Sequence, residues 1–230
     1  MTLDLRLKLL ELTNDTHAVS LKELGTLRRV GLDGTLTALV GQGLITLSEG
    51  ILTMDGRQRI MLAQELIHNG ADARKVSRLL GWQEFEDFAE VILSENGFST
   101  RKHLVFKTSA GRREVDILAW NDTFILAVDC KHWLRGSSAG RMKEAAQAQV
   151  ERVTRLAKVP RLLHRLKVSN PDGRVIIPVI LSLGELRDRL IDGVPIVCVS
   201  RLLSFIYGVS PVDTNLKRIR IGSSAQSRLA

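Results

Sequence analysis

Asp116, Asp129 and Lys131 are the residues whose types and spacing point most directly to chemistry. Two β-rich runs, Val115–Trp120 and Thr123–Cys130, flank Asn121-Asp122, a pair that favours a tight hairpin turn. With a two-residue loop, Trp120 faces Thr123 and Asp116 faces Ala127. Side chains alternate along a strand, so Asp116, Ala127, Asp129 and Lys131 share one face. Asp116 and Asp129 are then diagonal neighbours within reach of one shared ion. Both runs are otherwise apolar on both faces, which predicts a sheet covered on both sides. Charges there are costly unless they pair or hold a metal. The alternative is a surface hairpin whose charges are solvated.

Helices must bring the remaining polar groups to that hairpin. Along Trp82–Asn96, Phe85, Phe88, Ala89 and Ile92 form an inward stripe. Glu86 falls beside Leu93 at the stripe's edge, where it either reaches the sheet or stays solvated, and Asp87 and Glu90 lie farther round. Beyond the strands, a helix from about Arg141 to Val159 carries Met142, Ala146, Val150, Val153 and Leu156 inward, with Gln149 on the same stripe and Gln147 on the polar face. A buried Gln needs partners. Gln149 therefore either supports the site or bonds backbone within the core. His103 and His132 are metal-ligand candidates or structural residues. Arg135, Arg141, Arg152 and Arg155 belong to a basic run that reads as a phosphate track or as a solvated face.

The Val115-Asp116 and Asp129-Cys130-Lys131 pattern resembles the PD-(D/E)XK nuclease superfamily, with Val in place of the Pro and Asp in place of the Glu. Phe85-Glu86 resembles the corresponding helix of its Mrr-like and archaeal Holliday-junction-resolvase-like members. A polar residue on the helix after the Lys strand also recurs there, at the place of Gln149. The resemblance implies a restriction-endonuclease-like α/β fold, a mixed sheet flanked by helices, over residues 82–221. It implies Mg²⁺, with Mn²⁺ able to substitute, held by Glu86, Asp116 and Asp129, with Lys131 and Gln149 completing the catalytic set. The activity implied is metal-dependent hydrolysis of DNA phosphodiesters by a homodimer.

The chain has 230 residues, enough for one full domain and a small one, and its 33 basic against 25 acidic residues favour a polyanionic partner. The excess is uneven. Residues 1–80 hold ten basic and nine acidic groups, residues 81–134 six and nine, and residues 135–170 nine and two. Two cysteines, Cys130 and Cys198, make neither a disulfide framework nor a metal-ligand spacing, which fits a reducing cytoplasm. No run reaches membrane-spanning length, and no signal-peptide pattern is expected.

Residues 1–70 predict helix, helix, helix, hairpin, helix, with Ser20, Asp33 and Thr53 as caps and Ser48-Glu49-Gly50 as the hairpin turn. That order, with Gly43-Leu44-Ile45 and Leu52-Thr53, resembles a winged helix-turn-helix. Its third helix, Gly34–Gln42, offers Thr35, Thr37 and Gln42 but no Lys or Arg, with Arg28 and Arg29 before it. That predicts self-association or substrate positioning rather than base reading. Residues 71–81 predict a linker helix, Gly111-Arg112 a turn, Arg174–Leu181 a central strand, Gly184–Ile191 an amphipathic piece, Pro195–Val199 a strand, Ser200–Tyr207 a helix, and 222–230 a flexible tail. The alternative function is a non-catalytic DNA-binding or transcription-regulatory protein on the same framework.

Overall fold

The computed structural model describes residues 2–25, 32–109, 111–131, 138–183, 186, 189–210 and 212–222. Arg28, Arg29, His132, Arg135 and the 223–230 tail lie outside them. The chain divides into two compact units, Met1–Phe88 and Ala89–Ala230.

In the first unit the elements are α1 (Thr2–Leu12), β1 (Ala18–Ser20), α2 (Leu21–Gly25), α3 (Leu32–Gly41), β2 (Thr46–Ser48), β3 (Ile51–Thr53), α4 (Gly56–His68) and α5 (Ala73–Ser77). Ser20 caps α2 as expected, its hydroxyl accepting the Lys22 N–H at 3.1 Å. Two other cap assignments fail. Helix α3 already includes Asp33, starting at Leu32. Helix α4 is capped by Asp55 instead of Thr53, because Asp55 and Gln58 satisfy each other's backbone N–H groups at 2.7 and 2.9 Å. The β2–β3 turn puts Glu49 at φ 51° and Gly50 at φ 76°, the left-handed pair that tight hairpins require. Strand β1, unforeseen in the sequence, pairs with β3 and completes a small antiparallel sheet.

Arg59 of α4 is fully buried and binds this unit together. Its guanidinium donates to Glu84 at 2.8 Å, to the Leu10 carbonyl at 2.8 Å, to Thr13 and Asn14, and to the Leu79 carbonyl. The end of α1, the first turn of α4 and the segment after α5 thus meet on one cation. A cation can be buried there because its donors are met.

Helix α6 (Trp82–Glu95) leads into β4 (Ser99–Thr108), β5 (Gly111–Trp120) and β6 (Ile125–Lys131). Next come α7 (Ala139–Ala157), α8 (Pro160–Arg165), β7 (Val175–Ser182), β8 (Leu190–Ile191) and β9 (Val194–Cys198). A 3-10 turn (Val199–Arg201), α9 (Leu202–Gly208) and β10 (Ile219–Arg220) follow. Among the described residues the sheet is seven-stranded and mixed, in the order β4-β5-β6-β7-β9-β8, with β10 pairing β7. Its β4–β6 portion is antiparallel, whereas β6, β7 and β9 run parallel. The long α7 links β6 to β7, the crossover that parallel neighbours need. It covers one face of the sheet: Val153 and Leu156 join Leu118, Ile125, Ala127 and Ile176 in one core cluster.

Here too the details depart from expectation. Thr108 pairs with Gly111, so Gly111 (φ 100°) opens β5 instead of forming a turn with Arg112. Much of the predicted amphipathic piece lies outside the described residues, and its end, Leu190–Ile191, forms β8. No helix among the described residues is long and apolar enough to cross a membrane.

Candidate functional site

The β5–β6 hairpin closes through Asn121. Its side-chain oxygen accepts the N–H groups of Thr123 and Phe124, at 2.9 and 2.7 Å, and its own N–H donates to the Phe124 carbonyl. This Asx-type turn lengthens the loop beyond Asn121-Asp122. Trp120 therefore faces Ile125 and Leu118 faces Ala127, so the register slides by two from the expected one. A slip of two keeps every side chain on its face, whereas a slip of one would invert them. Asp116, Asp129 and Lys131 still share the α7 face. Continued by one step past Ile117↔Val128, the register sets Asp116 opposite Asp129 instead of diagonal to it.

Asp116 sits where the ladder opens. On the β4 side Lys102 pairs with Ile117 and Leu104 with Val115, but His103 between them has φ 48° and leaves the ladder. A non-glycine residue in that conformation stores strain, and such positions cluster at functional sites. On the β6 side the Cys130 N–H donates to Asp116 Oδ2 at 2.8 Å. Burial first, then the Asp129 charge, push the Asp116 carboxyl above its ordinary value. The Cys130 N–H and the Arg152 and Lys131 charges oppose that shift without cancelling it.

Asp129 is 2% exposed, and both its oxygens are engaged. Lys131 Nζ lies 2.8 Å from Oδ2, and Arg152 Nη1 donates to Oδ1 at 2.9 Å. Gln149, fully buried, donates through Nε2 to the Ala127 carbonyl at 2.7 Å and accepts from Arg152 Nη1. Gln149 thus bonds backbone within the core, and its oxygen also meets the Arg152 that holds Asp129. Ser138 caps α7 by accepting the Arg141 N–H, and from that start the helical repeat carries Gln149 and Arg152, three residues apart, over β6.

The structure thus brings Asp116, Asp129, Lys131, Gln149 and Arg152 together. Among the described residues, no group of three or more His, Cys, Asp or Glu side chains is placed to hold a metal ion. Glu86 lies in the first unit and is 3% exposed, buried instead of on a rim. His103 Nδ1 meets Glu114 Oε1 at 3.0 Å in an exposed pair. Arg141 is exposed, and Arg155 pairs with Glu151 one turn back on α7. A groove of about 790 Å³ is bordered by Arg155, Lys158 and Lys217 together with Glu151 and Asp192, but by neither aspartate of the hairpin. Arg152 was legible only as one member of a basic run. The signal for its special place was its spacing of three from Gln149.

No family model matches the chain. A protein of Archaeoglobus fulgidus, itself described as uncharacterized, is 30% identical over 129 residues, which are 54% of this chain and 88% of that protein. The chain belongs to that protein's family. Two crystal structures show partial likeness. A protein of unknown function, AF1548, has a TM-score of 0.31 and 12% identity over 54% of each chain. VC1899 from Vibrio cholerae has 0.35 and 15%, over 88% of this chain and 48% of that one. The chain spans about half the length of these two proteins. At those scores the likeness decides neither fold nor activity.

Proposed function

We propose that the protein is a metal-dependent endonuclease hydrolysing phosphodiester bonds in DNA, on a restriction-endonuclease-like fold preceded by a winged-helix unit. The observation that carries this reading is the assembly of Asp116, Asp129 and Lys131 on one sheet face beneath Gln149 and Arg152. The order helix, strand, helix, helix, strand, strand in the first unit supports the winged-helix part.

The donor set fits a hard divalent cation. Mg²⁺ is ordinarily bound through one or two carboxylates, with waters and substrate phosphate completing its shell. Asp116 and Asp129 are such a pair, on one face of the β5–β6 hairpin. When bound, the ion would acidify a water and offset charge on the phosphate. Lys131, which is part-exposed beside Asp129, would orient that water and neutralise the growing negative charge on phosphorus-bound oxygen. Gln149 fixes α7 to β6 at the site. Arg141 and Arg155, with Arg135, would hold flanking phosphates.

The test is incubation of the protein with supercoiled, linear, branched and single-stranded DNA in Mg²⁺, Mn²⁺ or EDTA, with Asp129→Asn alongside. Divalent-dependent cleavage that Asp129→Asn abolishes is expected. Cleavage persisting in EDTA or in the variant would overturn the mechanism. DNA binding without cleavage would favour a regulatory protein on the same framework.

A further inference from the structure

The carboxylate proposed to hold the metal is already spoken for. Lys131 occupies one oxygen of Asp129 and Arg152 the other, at 2.8 and 2.9 Å. A divalent cation arriving there meets two positive charges in a nearly buried setting, where like-charge repulsion is strong. One of the two must give way. Lys131 stands two residues from Asp129 on the same strand and the same face, so it is rooted beside the carboxylate, and its side chain is 29% exposed. Arg152 reaches Asp129 from the neighbouring α7 and has a second acceptor, so it can leave the carboxylate without being stranded. Its guanidinium also touches Gln149, whose own amide is tied to the Ala127 carbonyl.

We infer that Arg152 is the phosphate-gripping side chain of this site, held on Asp129 until a divalent cation takes that carboxylate and then turned onto a non-bridging phosphodiester oxygen. This rests on the nuclease reading and adds the group that contacts the scissile phosphate. The planar guanidinium suits both stations, because carboxylate and phosphate present the same pair of oxygens to its fork. Gln149 is the positioning residue, keeping a second acceptor beside Arg152 while its first is exchanged. Arg152 and Lys131 place two positive charges beside Asp129, which faces Asp116 across the hairpin.

The test compares full-length wild type, Arg152→Gln and Arg152→Lys by calorimetric titration with Mn²⁺ alone, without nucleic acid. Arg152→Gln removes the competing cation and is expected to bind Mn²⁺ about tenfold tighter, a gain of about 1.4 kcal/mol. Arg152→Lys keeps the charge and should bind Mn²⁺ like wild type, while losing affinity for duplex DNA in Mg²⁺. In wild type, the arginine side-chain NMR signal that Arg152→Gln removes should move on saturation with Mg²⁺. Equal or weaker Mn²⁺ binding by Arg152→Gln would overturn the inference, as would an Arg152 signal indifferent to Mg²⁺. Should Arg152→Gln fail to fold, Arg152→Lys, which also removes that arginine signal, assigns it in wild type, and its response to Mg²⁺ still decides. Wild type that cleaves DNA in Mg²⁺ but fails these measurements loses only the role of Arg152. Wild type that binds no divalent ion loses the nuclease reading as well.

Discussion

At Asp116, burial and the adjacent Asp129 charge both disfavour the ionised carboxylate. Its pKa in the folded chain lies above the ordinary 3.8, so the folded state holds its proton to higher pH than the unfolded state does. Stability linked to this group is present below 3.8 and is lost as pH rises through the elevated value. Asp116→Asn keeps an acceptor for the Cys130 N–H and removes the charge. In EDTA it should therefore melt higher than wild type near neutral pH, with the gap closing toward about pH 4. Thermal unfolding across that range checks this, and a gap independent of pH would remove the electrostatic explanation. Added Mg²⁺ should stabilise wild type but not the variant. Lys131→Ala separates chemistry from binding. If its ammonium faces charge that develops in the transition state, as the proposed function requires, cleavage should slow by about a hundredfold or more while DNA affinity barely changes. A loss confined to affinity would make Lys131 a phosphate anchor instead.

Among the elements, α4 rests on two devices of unequal worth. Asp55 caps an exposed end, and Asp55→Ala should cost about 1 kcal/mol. Arg59 holds buried carbonyls and Glu84, whose side chain is only 12% exposed, so Arg59→Met strands a charge and several acceptors. Breaking such a pair costs about 3–5 kcal/mol. Chemical denaturation of both variants should give that order, and a mild Arg59→Met would mean that its partners find water. The same elements show what periodicity could and could not reveal. The α7 stripe placed Gln149 inward because the 3.6-residue repeat is a property of the chain alone. The face shared by Asp116, Asp129 and Lys131 was legible for the same reason, since a two-residue slip leaves it unchanged. The hairpin register was not, because it depends on the Asn121 side chain choosing to accept two backbone N–H groups. Strands β1 and β10 were missed because two or three residues carry no period. The Arg152–Asp129 pair links α7 to β6 across the crossover, and only the packed sheet reveals it.

For the molecule as a whole, the proposed function turns on which surface would meet a polyanion. Helix α3 offers Thr35 and Thr37, with Gln42 just past its end, and no cation, and residues 1–80 carry ten basic against nine acidic groups. Residues 135–170 carry nine against two. Non-specific affinity scales with the number of phosphates neutralised, and its salt dependence counts them. The full-length chain should therefore lose neither affinity nor sequence preference for duplex DNA on the triple change Thr35→Ala, Thr37→Ala, Gln42→Ala. Neutralising Arg141, Arg155 and Lys158 together should weaken binding to every sequence alike and flatten the slope of log K against log salt by about two to three. Anisotropy titrations at several salt concentrations, on a pool of unrelated duplexes, measure both. If the α3 change abolishes selective binding to one duplex, the first unit reads bases and the regulatory alternative gains. If the basic change leaves the slope untouched, that run is solvated surface, and the phosphate contacts must come from the aspartate site itself.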